Sequence, residues 1–187
     1  MKKLKRCTWP ANDPLMLAYH DREWGVPTHN DKKIFEFLVL ESAQAGLSWR
    51  TILYKRENYR KAFRNFDVKK VAKFTKRDIV RLLKDVGIVR NRLKIEAAVN
   101  NAKKFLEIQK EFGTFSKYSW KFVGDKPLKH LIRKVGDYPV VTKEAVAFSS
   151  DLKLRGFKFL GPTTVYAYMQ AVGMANDHMV GCFRRQK

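Results

Sequence analysis

The chain has 187 residues, 45% hydrophobic and 13% aromatic, with 39 Lys+Arg against 18 Asp+Glu for a net charge of +21. That length suits one compact domain, or two small lobes on a shared core, and the apolar fraction excludes wholesale disorder despite the charge. No apolar run approaches the roughly 20 residues of a membrane span, no apolar signal core follows the basic start Met1–Arg6, and two cysteines make no disulfide framework, so they read as a reduced, cytoplasmic thiol pair.

The pattern is helical throughout, without sustained period-2 alternation or an Asn-Gly or Asp-Gly hairpin signal. Asp31 precedes an apolar stripe of Ile34, Leu38 and Ala45, with Phe37 and Leu40 beside it, which predicts a helix over 32–46. Ser48 opens a second helix, Trp49–Phe63, and Asp67 a short third. Thr75 and Asp78 form a capping-box pattern before Ile79–Leu83. From Asn91 a long helix carries Ile95, Ala98, Ala102, Phe105 and Ile108 on one stripe. Thr142 opens another helix that stops at Gly156. Pro162 sits in the first turn of the last helix, which runs to Met174. The segment 124–141 is aperiodic and reads as a loop-rich connection. No repeat, linker or domain boundary interrupts the chain, so it is expected to be a single unit over 1–187.

The charge is unevenly placed. Residues 50–104 hold 18 Lys+Arg and 5 Asp+Glu, most of the surplus. Such a patch binds polyanions by releasing counterions from phosphates, which points to nucleic acid. The cations are too dispersed for the amphipathic helix of a membrane-surface protein. Within the patch, Leu82–Arg92 joins two helices through Gly87, flanked by Val86 and Ile88, and looks like a helix-hairpin-helix over about 75–112. In that motif the turn and the start of the second helix offer backbone N–H groups to a phosphate, with Arg90, Arg92 and Lys94 adding charge. The usual second glycine is Val89 here.

Three further features carry chemistry. Glu41 falls on the apolar stripe of its helix, whereas Glu36 is expected to point away. A buried carboxylate is costly unless paired, so the alternatives are a salt bridge to an arginine or a polar group in an aromatic pocket. Trp9, Tyr19, Trp24 and Trp49 all fall within the first fifty residues. The turn Gln44-Ala-Gly-Leu-Ser-Trp49 either buries Leu47 or presents it as a wedge toward a duplex. His178 and Cys182 have the spacing of a zinc-ligand pair, but Cys7 and His20 do not. On spacing alone, two buried cysteines and two ordinary histidines are the plainer account, although a metal would tie the two termini together.

Together, Tyr19-His-Asp-Arg-Glu-Trp-Gly-Val-Pro27, Leu40-Glu41…Gln44-Ala-Gly-Leu-Ser-Trp49, Lys55-Arg-Glu-Asn-Tyr59, Arg155-Gly-Phe-Lys-Phe-Leu-Gly161 and Met169-Gln-Ala…Asn176-Asp-His178 resemble the bacterial 3-methyladenine DNA glycosylase I family over nearly the whole chain. The resemblance implies an all-α helix-hairpin-helix DNA glycosylase fold whose termini are joined by a structural zinc ion on Cys7, His20, His178 and Cys182. It implies Glu41 as the base-contacting carboxylate and Tyr19 and Trp49 as pocket residues, with Trp9 and Trp24 nearby. Gly46 and Leu47 match the segment that fills the gap left by an everted lesion, and Gly87, Ile88 and Arg90 match the hairpin, with Arg92 beside them as a DNA-binding candidate. Met16 stands where family members carry a pocket tyrosine, so a hydroxyl is lost there. The implied activity is hydrolytic, monofunctional removal of 3-methyladenine from alkylated double-stranded DNA, by a monomer in the bacterial cytoplasm working at the nucleoid. A non-enzymatic architectural DNA binder explains the charge but not Glu41. A glycosylase of broader lesion range is the other alternative, and no RNA-type signature supports an RNA-binding module.

Overall fold

A computed structural model of the protein describes residues 4–185; the basic start at Met1–Lys3 lies outside them. Nine α-helices form among the described residues, most begun by a side-chain cap within one turn. Asp13 accepts from the amides of Leu15 and Met16 to open α1 (Pro14–Arg22). Asn30 accepts from Lys33 N to open α2 (Asp31–Gln44), and Ser48 accepts from Thr51 N to open α3 (Trp49–Ala62). Asp67 begins α4 (Val68–Val71). Thr75 and Asp78 form the expected reciprocal box at α5 (Lys76–Lys84). Asn91 caps α6 (Arg92–Phe112), Thr114 caps α7 (Phe115–Trp120), and Thr142 caps α8 (Lys143–Leu154). Pro162 starts α9 (Pro162–Ala171), which ends a few residues before the expected Met174.

The structure departs from expectation in several places. α1 and α7 are short helices that the apolar period does not announce. A two-residue parallel pair joins β1 (Leu128–Lys129) to β2 (Ala175–Asn176) inside an otherwise helical fold. Asp31 is not the cap of α2. Its carboxylate accepts from Gln109 and from the amides of Phe115 and Ser116, and so ties the start of α7 to α2.

α2 is the axis of the molecule. It packs against α3, α6, α7 and α9, and every residue from Ile34 to Ala43 is buried. A helix enclosed on all sides has no solvent face, which corrects the expectation that Glu36 points away. Glu36 is buried against α3, where Arg56 and Arg60 each donate to it within 2.9 Å. No described helix is long and apolar enough to cross a membrane.

The end of α9 turns back on the segment after α1 through Gly173, at φ +76°. A Cβ there would lie 2.2 Å from the carbonyl carbon of Val26. Backbone bonds on either side, Gly25 N to Gln170 O at 2.9 Å and Thr28 N to Val172 O at 3.1 Å, hold this approach. Gly173→Ala must therefore move backbone and is expected to cost on the order of 3 kcal/mol or more. Gly46→Ala, at φ +79° with nothing within 4 Å of its Cβ, should cost only about 1 kcal/mol of left-handed strain. Urea unfolding of the two variants measures the contrast.

Candidate active site and metal centre

A cavity of about 330 Å³ opens between the N-terminal segment, the C-terminal half of α2, the start of α3, α9 and the 135–139 loop. All six residues expected in a base pocket line it: Trp9, Met16, Tyr19, Trp24, Glu41 and Trp49. Their rings brace one another. Trp9 meets Trp24 at 5.1 Å between centroids and Tyr19 at 6.3 Å, and Tyr19 lies 5.1 Å from Trp49. Phe37, one turn before Glu41 on α2, stacks behind Trp49 at 6.4 Å. Such rings present flat, electron-rich faces to a planar guest and attract a cation over them.

Glu41 is 4% exposed and has no hydrogen bond or ion pair among the described residues. Burial alone pushes its carboxyl up to about 8. The salt-bridge alternative is realised one turn earlier, at Glu36. Arg56 bonds Glu36 and grips Glu23 with both terminal nitrogens at 2.8 Å. Burial alone would lower the pKa of Arg56, but these carboxylates outweigh that effect and raise it, so the guanidinium is fully committed. Glu41 is left as a buried acid facing a cavity.

The sequence left other lining residues without a role. Gln44 and Gln170 sit inside the motifs that carry the family resemblance, but nothing local shows that they face a cavity. Val135, Tyr138 and Pro139 lie in the aperiodic loop, where no period assigns a side.

Beside the cavity, Cys7 Sγ, His20 Nε2, His178 Nδ1 and Cys182 Sγ all lie within 4.8 Å of one another, and all four residues are buried. The outer nitrogens of both imidazoles are occupied. His20 Nδ1 faces Asp21 Oδ1 at 2.8 Å, and His178 Nε2 donates to the Trp24 carbonyl at 3.0 Å. These contacts turn the inner nitrogens toward the thiols, the arrangement of a histidine metal ligand. Burial lowers His178 to about 4 and keeps it in the neutral, ligating form. The donor set and its orientation fit a metal ion. Arg6 completes the shell by pairing with Asp21 at 2.7 Å.

The turn after α2 and the hairpin carry the remaining candidates. Leu47 is 42% exposed, which excludes the core alternative, and it follows Gly46 in a tight turn. Lys94, expected to add free charge to the hairpin, instead donates its ammonium to the carbonyls of Ala43 and Ala45, so it caps α2 and fixes that turn. Gly87 and Ile88, expected to offer amides to a phosphate, direct them to Asp85: Gly87 N bonds its carboxylate at 2.8 Å and Ile88 N its carbonyl at 3.3 Å. The Ile88 side chain is buried, and a Cβ on Gly87 would meet Asn58 of α3 at 2.9 Å, so both residues seat the hairpin. Arg90 and Arg92 are exposed at the start of α6, Arg92 near Glu96 at 3.3 Å.

The unpaired carboxyl has a thermodynamic signature. Its folded value near 8 lies above the ordinary 4.5, so in that window the folded state holds a proton that the unfolded chain releases. Stability therefore falls as pH rises through the window. Glu41→Gln should raise the melting temperature at pH 8.5 by roughly 3 °C or more and leave it nearly unchanged at pH 4, as read by calorimetry.

A model of the methyladenine glycosylase family matches residues 9–185. The chain is 47% identical to the DNA-3-methyladenine glycosylase 1 of Escherichia coli (strain K12), covering 96% of each chain. A crystal structure of 3-methyladenine DNA glycosylase I superposes with a TM-score of 0.94 at 44% identity, covering 97% of this chain and 100% of that one. The Staphylococcus aureus enzyme, solved to explain its recognition of 3-methyladenine, superposes with a TM-score of 0.94 at 42% identity over 98% of each chain. This chain belongs to the methyladenine glycosylase family.

Proposed function

We propose that the protein is a monofunctional DNA glycosylase that draws 3-methyladenine out of alkylated duplex DNA and hydrolyses its N-glycosidic bond. The observation that carries this reading is Glu41, a buried acid without a partner in a ring-lined cavity. Methylation at N3 places a positive charge on the adenine ring. That cation is the missing partner: it satisfies the carboxylate and sits favourably against the tryptophan and tyrosine faces. An unmodified, neutral purine brings no charge and gains far less. Relatives named as 3-methyladenine DNA glycosylases support the substrate class.

The reaction needs little acid–base chemistry. The bond from C1′ to the purine breaks with its electron pair moving onto the base, which leaves as neutral 3-methyladenine. Water adds to the sugar carbon and gives up a proton. The lesion is already a good leaving group, so the protein's task is to hold the everted cation long enough for water to act. Eversion costs a few kcal/mol, and the Glu41 contact offsets it. Leu47, exposed on its tight turn, would occupy the space the base vacates. Arg90, Arg92 and the free amides at the start of α6 would hold a backbone phosphate, with Gly87 and Ile88 shaping the turn beneath them. No lysine stands out as a Schiff-base nucleophile in the cavity lining. Met16 supplies apolar cover without a hydroxyl. We assign the whole chain to one glycosylase unit, with the helix-hairpin-helix at 75–112. It acts as a monomer, in the cytoplasm of a bacterial cell.

The ion that fits the Cys7, His20, His178 and Cys182 donors is zinc. Zn–S near 2.3 Å and Zn–N near 2.0 Å at tetrahedral angles imply S···N edges of about 3.5 Å. Three of the four thiol–imidazole separations are 3.5, 3.5 and 3.6 Å, and the fourth lies within 4.8 Å. With all four as ligands no position would stay open, so a zinc ion there would supply structural linkage and no reaction chemistry.

Two outcomes test these assignments. Glu41→Gln should lower the single-turnover release of 3-methyladenine at least tenfold while leaving affinity for undamaged duplex unchanged, because the partition between stacked and everted base shifts rather than the phosphate contacts. In the wild type, kcat/KM should rise with pH and level off above about 8, as the free acid ionises, and the Gln variant should lose that inflection. Unchanged activity would remove Glu41 from the mechanism. For the metal, the protein as purified should contain one zinc per chain, and chelation should lower its melting temperature by on the order of 10 °C or more; a chain without zinc and with the same melting point refutes the assignment.

A further inference from the structure

We infer that Gln170 reads the six-position of the purine, its carbonyl oxygen held toward the cavity by Asp177 so that an amino-bearing ring is accepted and an oxo-bearing ring refused. The inference rests on the glycosylase reading above and deepens it by naming a residue that separates the methylated adenine from the equally charged methylated guanine.

Gln170 on α9 and Glu41 on α2 line the same cavity. The amide of Gln170 is not free to turn. Its Nε2 donates to Asp177 Oδ2 at 2.7 Å, and a carboxylate offers lone pairs only, so the NH2 end must face Asp177. Asp177 is itself fixed. It is fully buried, the Tyr166 hydroxyl donates to its Oδ2, and His130 Nδ1 lies 2.8 Å from its Oδ1. It also follows directly on β2, which pairs with β1. The backbone of Gln170 is pinned separately, since its carbonyl accepts from Gly25 N at 2.9 Å. What is left is Gln170 Oε1, which has no hydrogen-bond partner among the described residues and is not sealed in the interior.

Among its polar lining groups the cavity therefore presents two fixed acceptors, a carboxyl that ionises against a cation and an amide oxygen that cannot be exchanged for its nitrogen; the Gln44 side-chain amide, also in the lining, has no partner among the described residues and is not fixed in this way. In 3-methyladenine still attached to the sugar, the only N–H groups are the two on the C6 amino nitrogen. One pair of acceptors matches that one pair of donors. 3-Methylguanine carries the same charge and the same methyl group but has an oxygen at C6, which would meet acceptors instead of donors. An unlocked glutamine would flip and accommodate it; one anchored to Asp177 does not. The selectivity thus comes from a repulsive element as much as an attractive one. A site built to bond a specific polar group rejects the analogue that lacks it more strongly than an apolar pocket rejects a change of shape.

Duplex DNA treated with dimethyl sulfate carries both 3-methyladenine and 3-methylguanine, and chromatography of released bases gives both rates from one sample. Gln170→Leu should reduce the ratio of 3-methyladenine to 3-methylguanine release about tenfold relative to wild type. Asp177→Asn, which lets the amide turn, should reduce it several-fold. Gln170→Met serves if the leucine variant does not fold, and circular dichroism melting with zinc content checks each variant. Equal loss on both lesions marks a merely structural residue and overturns the inference, as does an unchanged ratio. If the wild type releases neither base, the glycosylase reading fails, and the inference with it.

Discussion

A carboxyl buried without a partner is the constraint around which this protein is arranged. Leaving Glu41 unsatisfied in the folded state costs stability, and the chain does nothing to relieve it. The arginine best placed to help is locked between Glu23 and Glu36, and none of the residues lining the cavity with Glu41 hydrogen-bonds it. In the proposed function the compensating charge comes from outside. A neutral interior acid that ionises against an incoming cation gives the site a reason to prefer a damaged base over the excess of intact ones, before any bond is broken.

Charge is thus divided by sign and by depth. The surplus of basic residues lies over α3, α5 and the hairpin, where it suits a polyanionic backbone, while Glu41, buried without a partner among the described residues, lies inside. The division is less generous than the composition suggests. Arg56 and Arg60 serve Glu36, Lys94 caps α2, and Arg155 pairs with Glu111 and Asp151. Part of the +21 therefore holds the fold together and is not available to DNA.

Much of this was legible in the sequence, because caps and turns are local. Ser48, Asp67, Thr75, Asn91 and Thr142 each begin the helix they predicted, and the apolar stripe placed Glu41 inside. The same stripe failed at Glu36, because an amphipathic pattern presumes a wet face and α2 has none. α1 and α7, at nine and six residues, hold too few turns to show a period, and unlike the equally short α4 and α5 they are not read from their caps, Asp13 and Thr114. The four metal donors could not be recovered from spacing, since they lie at opposite ends of the chain and meet only when α1 and the residues after β2 pack together. Gln170 was invisible for a related reason: its role depends on which way an amide faces, and that is decided by Asp177 and Tyr166 rather than by any neighbour in sequence.

The cysteine–histidine cluster and the aromatic cavity are made from the same few residues of chain. Trp9 lies two residues after Cys7, Tyr19 immediately before His20, and the Trp24 carbonyl receives the His178 proton. Whatever draws the four ligands apart, whether thiol oxidation or competition from a stronger chelator, must also slacken the wall against which the lesion is stacked. With the proposed zinc in place, repair capacity would be mechanically tethered to the redox and metal economy of the cell, although such an ion would take no part in cutting the bond.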